Sequence, residues 1–241
     1  MQLYFIRHAQ SSNNALWQQT GSEDGRHFDP AITELGEQQT RALAELLVRS
    51  DPAAPADDRD AQNRRGFGLT HLYTSLMLRA VVTANTIADT LDVPLRAWPD
   101  LHEVGGLYLT EAATGQAVGQ AGPNRDYFEQ HFPHLSLPET LGEAGWWNRP
   151  FETDAERLPR AQRTWRELRE RHGQTNDRVA VVSHAGFHNY FLMALLDLPE
   201  RSGYWFGLNN TAITRLDVFD GYVNVVYLNR ADHLPAELIT G

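Results

Sequence analysis

Short apolar runs alternate with amphipathic segments along most of the chain, and this alternation predicts strands that alternate with helices. The apolar runs have the length of buried strands, whereas the amphipathic segments repeat apolar residues every three to four positions. A strand–helix order of this kind indicates a mostly parallel sheet that is covered by helices on both faces. The predicted strands cover residues 2–6, 69–74, 93–98 and 178–183.

Capping residues place the helix boundaries more closely than periodicity does. Thr33 is a predicted N-cap, and Ser75 is expected to open the helix that follows the second strand. Thr153 and Glu156 have the spacing of a capping box for a helix that runs to His172, with a break near Pro159. Three further elements complete the prediction: a C-terminal stop at Gly173, a helix over 187–196, and a hairpin of 211–219 with 222–228.

Three segments lack a regular pattern. Residues 9–30 are polar and show no pattern of a helix or a strand. Residues 51–68 are predicted to form an exposed loop. Residues from 105 to about 150 are rich in glycine, proline and aromatic side chains, which is typical of a functional insertion rather than of a strand–helix repeat. We therefore expect one domain, with a core of 1–104 and 165–241 and a cap of about 105–164.

Composition narrows the possible chemistry. The 241 residues include no cysteine and no lysine, so cysteine nucleophiles, disulfides and Schiff-base lysines are excluded. The net charge of −10 argues against a nucleic-acid partner. No apolar run approaches the roughly 20 residues of a membrane span, and the first residues form a strand rather than a signal peptide, so we expect a cytoplasmic protein.

Charged and imidazole side chains follow the predicted strands at the points where ligands bind in open α/β sheets. Arg7 and His8 follow the first strand, Arg79 opens the helix after the second, Glu103 follows the third, and His184 follows the fourth. Arginine matches the geometry of phosphate oxygens, neutral histidine is a nucleophile, and a carboxyl group can exchange protons with the leaving group and water. These residue types together favour phosphoryl transfer.

Five ordered blocks carry a family resemblance: RHAQSSNN, DPAITELGEQQTRALAELL, YTSLMLRAVVTANTIA, LHEVG and VVSHAGFHNYFLMALL. The chain resembles the histidine phosphatase superfamily, also called the phosphoglycerate mutase-like family. The resemblance implies a three-layer α/β/α sandwich with an inserted cap. It also implies a metal-independent phosphatase without a cofactor, acting on a small phosphorylated substrate through a phosphohistidine.

The resemblance implies roles for individual residues of this sequence. His8 would be the phosphorylated nucleophile, Glu103 the acid, and Arg7, Arg79 and His184 the phosphate pocket. Additional substrate contacts are expected from Gln10, Ser11, Asn14, Ala185 and Gly186. Ala9 and Gln10 depart from the glycine and glutamate that are usual in the family signature, which weakens any inference about substrate identity.

Several alternatives remain open at this stage. The fold also serves cofactor-dependent phosphoglycerate mutases, but here Glu103 is followed by Val-Gly-Gly-Leu-Tyr and the chain lacks lysine, which favours a phosphatase. A non-catalytic phosphate-binding module is the third possibility. At single positions, His102 or Asp100 could replace Glu103, and Asn13 could replace Asn14.

Two histidine pairs and a tryptophan pair also invite functional interpretations. His184 with His188, and His131 with His134, have spacings that suit a metal, but no third ligand is evident, so we expect no metal site. Trp146 and Trp147 could stack on a substrate, although a hydrophobic patch that fastens the cap to the core is the favoured interpretation.

Overall fold

The computed structural model describes residues 1–55, 60–199 and 203–241. Over these residues the chain forms the helices α1 (Ser12–Thr20), α2 (Glu34–Val48), α3 (Leu78–Leu91), α4 (Arg125–His131), α5 (Asp154–His172) and α6 (Ala185–Leu195). Its strands are β1 (Gln2–Arg7), β2 (His71–Thr74), β3 (Leu95–Ala97), β4 (Tyr108–Thr110), β5 (Ala117–Gly119), β6 (Leu135–Ser136), β7 (Arg178–Ser183), β8 (Ile213–Val218) and β9 (Val223–Arg230).

The main sheet confirms the predicted α/β class. Its strand order is β6-β3-β2-β7-β1-β8-β9, and the pairings from β6 to β1 are parallel. The pairings of β1 with β8 and of β8 with β9 are antiparallel, so the β8–β9 hairpin continues the sheet beyond β1. The seven strands therefore form a mixed, mostly parallel sheet.

Alternating side chains of β1 show how one strand serves two cores. Tyr4 and Ile6 pack into an apolar cluster with α2 and α3, whereas Leu3 and Phe5 pack into a second cluster with α5 and α6. Because successive strand side chains point to opposite faces, this pattern places a helical layer on each side of the sheet. The arrangement is the predicted three-layer sandwich.

Several predicted boundaries are wrong in informative ways. The third strand is limited to Leu95–Ala97. The helix α3 begins at Leu78 rather than Ser75, since its N-cap is Met77, and the Ser75 hydroxyl contacts the ring of His184. The helix α5 runs without a break through Pro159. The capping box of Thr153 with Glu156 and the stop at Gly173 are confirmed.

The polar segment after His8 contains a helix that the hydrophobic pattern did not reveal. Ser11 caps α1 in a box with Asn14, and the helix ends at Gly21, whose positive φ of 65° suits glycine. No residue of α1 is fully buried, so the helix has no apolar stripe for periodicity to detect.

The expectation of an exposed loop at 51–68 is wrong for part of that segment, while 56–59 lie outside the described residues. The ring of Phe67 is fully buried, 5.3 Å from the ring of Tyr4. The amide of Asn63 donates to the Tyr4 hydroxyl at 2.8 Å. The segment thus contributes buried side chains to one core, although its overall composition is polar.

Residues between the 3₁₀ turn Pro99–Leu101 and α5 form the small sheet of β4 and β5, the helix α4, and the strand β6 at the edge of the main sheet. Trp146 and Trp147 are buried in the core that faces α3, in agreement with a fastening role. Gly106 has a φ of 74°, and a side chain there would collide with the Trp147 ring. Across the described residues, no helix is both long and apolar enough to cross a membrane.

Candidate active site

The parallel strands bring the sequence-predicted residues to one end of the sheet. His8 follows β1, His184 follows β7, and Arg79 lies in the first turn of α3 after β2. A cavity of about 200 Å³ opens there. Its walls are formed by Arg7, His8, Ser11, Asn13, Asn14, Leu16, Trp17, Ser22, Glu23, Arg26, Pro30, Arg79 and Glu103.

Hydrogen bonds define the tautomer of His8. Its Nδ1 lies 2.7 Å from the carbonyl oxygen of Ala9, which can only accept, so Nδ1 carries the proton. Its Nε2 accepts a hydrogen bond from Nε of Arg79 at 3.1 Å. Burial, together with the charges of Arg79 and Arg7, lowers the pKa of His8 well below its usual value. The ring is therefore neutral at pH 7, and its Nε2 lone pair is held by Arg79 in a residue that lines the cavity.

His184 lies behind His8 rather than in the cavity wall. The two ring centres are 5.0 Å apart, and the His184 ring is completely buried. Its Nε2 contacts the Ser75 hydroxyl at 2.7 Å, while its Nδ1 has no hydrogen-bond partner among the described residues. Burial and the charge of Arg79 lower its pKa well below the usual value, so His184 is a second neutral imidazole.

Two buried arginines supply the positive charge around His8. Arg7 donates from Nη1 to the Leu208 carbonyl, and burial lowers its pKa to about 10. Nη1 of Arg79 lies 3.9 Å from the carboxylate of Asp29. Burial raises the pKa of Asp29 to about 6, so its charge compensates Arg79 only above that pH.

Glu103 is held at the N-terminus of α6. Its Oε2 accepts from the Gly186 N–H at 3.1 Å, and its Oε1 accepts from the N–H groups of Phe187 at 2.9 Å and Val104 at 2.8 Å. A Cβ on Gly186 would lie 2.5 Å from Oε1, so only glycine permits this approach. The helix N-terminus therefore binds a carboxylate of the chain itself.

That arrangement corrects one expectation from the sequence. Ala185 and Gly186 were expected to contact substrate, but the Gly186 amide is occupied by Glu103, and neither residue lines the cavity. The amide groups of this helix end orient a side chain instead of a ligand. A motif gives residue types, and only the fold shows which partner a backbone N–H meets.

The residues after His8 divide into two groups. Ser11 and Asn14 line the cavity, as does Asn13. Gln10 does not, because its side chain accepts from the Thr33 hydroxyl at 2.7 Å and contacts Gln18. The expected substrate contact of Gln10 therefore lacks geometric support in this structure.

Three residues that build the site were missed by the sequence patterns. Asn210 donates from Nδ2 to the His8 carbonyl at 3.0 Å, and Thr83 accepts from the Ala9 amide at 3.1 Å. Arg26 lies in the irregular segment before α2 and lines the cavity. Arg26 could have been suspected because it lies between two of the blocks that resemble the family. Asn210 and Thr83 act through tertiary contacts, and no local sequence pattern indicates them.

A buried ion pair fixes the segment that carries Glu103. Arg160 of α5 donates to both oxygens of Glu152 and, from Nη1, to the carbonyls of Asp100 and His102. Glu152 in turn accepts from the Gly105 amide at 3.1 Å. His102 itself packs against Trp147, with ring centres 4.6 Å apart, and lies outside the cavity wall.

The possible metal ligands lie elsewhere. His188 is fully buried and contacts the Thr214 hydroxyl at 3.0 Å, whereas His184 contacts Ser75. The two histidines therefore bind different partners and do not form a metal site together. Over the described residues, one group combines three suitable ligand atoms: His71, His172 and Asp177. It lies at the amino ends of β2 and β7, away from His8, and its atoms hydrogen-bond to one another and to Tyr73 and Thr70.

The chain is similar to known proteins over most of its length. The model of the histidine phosphatase superfamily (branch 1) matches residues 59–231, which include Arg79, Glu103 and His184. An adenosylcobalamin/α-ribazole phosphatase of Salmonella typhi is 23% identical over 234 residues, covering 95% of this chain and 96% of that protein. A probable phosphoglycerate mutase of Erwinia tasmaniensis is 24% identical over 217 residues, covering 90% and 85%.

Solved structures share the fold. A phosphoserine phosphatase mutant of Entamoeba histolytica has a TM-score of 0.59 at 18% identity, covering 97% of this chain and 99% of that chain. A mycobacterial glucosyl-3-phosphoglycerate phosphatase has a TM-score of 0.58 at 18% identity, covering 95% and 98%. With a family model that matches well over half of its residues, this chain belongs to the histidine phosphatase superfamily, branch 1.

Proposed function

We propose that this protein hydrolyses small phosphate monoesters through a phosphohistidine on His8. The observation that carries the proposal is a neutral His8 in the cavity wall, whose Nε2 accepts a hydrogen bond from Arg79, together with the buried Arg7 in the same wall. Arg7 and Arg79 can balance a phosphate dianion by charge and hydrogen bonds, so the reaction as proposed needs neither metal nor cofactor.

In the first step, His8 Nε2 attacks phosphorus, and the bond between phosphorus and the leaving oxygen breaks. The phosphate oxygens take over the Arg79 N–H that now faces Nε2. Glu103, when protonated, gives its proton to the leaving oxygen. Among the described residues its Oε2 accepts one hydrogen bond, from Gly186, so this oxygen retains room for the proton.

In the second step, water attacks the phosphohistidine. Glu103 accepts a proton from the water, and the bond between phosphorus and Nε2 breaks to release phosphate. His8 returns to its neutral form and Glu103 to its protonated form, so the cycle balances. His184 stays neutral behind His8 in both steps, because burial disfavours its charged form.

We also propose that residues from about 105 to 164 form a cap over the site. The ring of Tyr108 in this segment lies 4.2 Å from the guanidinium carbon of Arg26, which lines the cavity. This contact supports a role for the segment in forming the entrance to the site. Substrate identity would then depend on the cap and on the loop before α2.

Turnover of an aryl phosphate tests the proposal directly. The protein should release phosphate from p-nitrophenyl phosphate, and His8→Ala should abolish release while retaining the urea unfolding midpoint. Equal release by both proteins would contradict a phosphohistidine mechanism. Release by neither, with binding of inorganic phosphate retained, would indicate a phosphate-binding module, and isomerisation of phosphoglycerate without release would indicate a mutase.

A further inference from the structure

Arg26 is a cavity residue that the proposed reaction does not use. Its side chain is 20% exposed, and its Nη1 pairs with the Glu23 carboxylate at 3.1 Å. Its Nε is buried and has no hydrogen-bond partner among the described residues. A guanidinium offers five N–H donors in a planar fork, so Arg26 retains capacity for another anion.

Stacking holds this guanidinium in a defined orientation. Its carbon lies 4.2 Å from the centre of the Tyr108 ring, and that ring packs edge-on against Phe151 with centres 4.8 Å apart. Stacking uses the face of the guanidinium and does not occupy the N–H groups at its edge, of which Nη1 is paired with Glu23. Arg26 is therefore preorganised, which reduces the entropy lost when a ligand binds.

The charges around the cavity show why a third arginine is significant. Arg7 and Arg79 already flank His8, and they can balance one phosphate dianion. The charge of Arg26 acts on Arg79, so the two guanidiniums share one electrostatic environment. Glu23 competes for Arg26 only weakly, because its side chain is 61% exposed and the pair is screened by solvent.

We propose that Arg26 binds a second anionic group of the substrate. The preferred substrates would then be small phosphate monoesters that carry a carboxylate or a second phosphate on the alcohol portion. This inference rests on the proposed hydrolysis and adds the substrate class to it.

Matched substrate pairs test the proposal. 3-Phosphoglycerate and glycerol 3-phosphate differ by one carboxylate, and glucose 1,6-bisphosphate and glucose 6-phosphate differ by one phosphate. The wild-type protein should favour the more anionic member of at least one pair in kcat/KM, and the pair concerned identifies the group. Arg26→Gln should lower that preference about 10- to 100-fold, the range for a hydrogen bond to a charged group. Arg26→Lys should fall between the two, because it keeps the charge but loses the fork.

Glu23→Gln is the matched control, because it removes the competing carboxylate and keeps the size of the side chain. It should raise the preference for the anionic member more in the wild type than in Arg26→Gln, because Glu23 both lines the cavity and pairs with Arg26. An equal increase in both backgrounds would count against binding by Arg26. Urea unfolding of each variant monitors folding. Turnover of all four esters with a ratio unchanged in Arg26→Gln would overturn the inference but leave the hydrolysis intact. No turnover of any ester by the wild-type protein would instead overturn the proposed function.

Discussion

Replacing Gly186 with alanine should expel Glu103 from the end of α6. The new Cβ would lie 2.5 Å from Glu103 Oε1 and 2.8 Å from Cγ2 of Val104, so the carboxylate must move. The movement breaks the hydrogen bonds from the Gly186 and Phe187 amides. Each bond to a charged group contributes about 1.5–3 kcal/mol, so two contribute about 3–6 kcal/mol.

Helix propensity opposes this loss. Alanine is favoured over glycine in a helix by about 1 kcal/mol, which reduces the expected destabilisation to about 2–5 kcal/mol. The Glu103 side chain is only partly buried, so water can solvate the displaced carboxylate. We therefore expect the lower end of the range, a fall of about 2 kcal/mol in the free energy of unfolding.

Two measurements check this prediction. Urea unfolding gives the stability change, and kcat/KM for p-nitrophenyl phosphate and glycerol 3-phosphate gives the dependence on the leaving group. The alkyl ester should suffer more, because its poor leaving group depends on the proton from Glu103. Gly142→Ala is the matched control, since a Cβ at Gly142 meets no atom within 4 Å. If Gly186→Ala is as stable as Gly142→Ala and both esters react as in the wild type, the proposed position of Glu103 is wrong.

Three other perturbations test separate parts of the structure. Arg79→Lys should retain more kcat/KM than Arg79→Ala yet fall below wild type, because the fork is lost; equal activity of the two variants would exclude a bidentate contact. Arg160→Met leaves Glu152 buried without its partner and should lower the free energy of unfolding by about 3–5 kcal/mol, measured in urea. It should also lower kcat/KM more for alkyl than for aryl esters, because Arg160 holds the segment that carries Glu103. Burial lowers the pKa of His188 to about 3, so below pH 6.5 the unfolded chain binds a proton that the folded protein excludes. Stability should therefore fall as pH decreases from 6.5 to 5, and His188→Asn should remove about 2 kcal/mol of that fall in urea titrations at each pH; an unchanged pH dependence would contradict the assignment.

The sequence predicted those elements whose burial leaves a pattern. The strand Arg178–Ser183 was predicted to the residue, because both of its faces are covered and it is almost uniformly apolar. The hairpin of β8 and β9 followed from its Asp-Gly turn, where Gly221 has a φ of 84°. The helix α1 left no such pattern, because it is stabilised by its Ser11–Asn14 cap rather than by an apolar face.

The candidate site divides in the same way. Because the carboxyl ends of parallel strands meet at one edge, the strand ends predicted that Arg7, His8, Arg79, Glu103 and His184 would converge on one pocket. All of them except His184, whose ring lies beside that of His8, line the cavity. The partners of backbone amides were not predictable, so the pairing of Gly186 with Glu103 emerged only from the fold. Arg26 likewise reaches the cavity through an irregular segment whose course no periodicity describes.

Trapping the covalent intermediate tests the central claim most directly. The protein would be mixed with p-nitrophenyl phosphate, quenched in alkali to preserve phosphohistidine, and examined by intact mass spectrometry and peptide mapping. The account predicts one added phosphoryl group, located on His8, absent from His8→Ala and accumulating further in a variant with slowed hydrolysis such as Glu103→Gln. Steady turnover with no phosphorylated protein at any quench time, or a phosphoryl group on another residue, would contradict it.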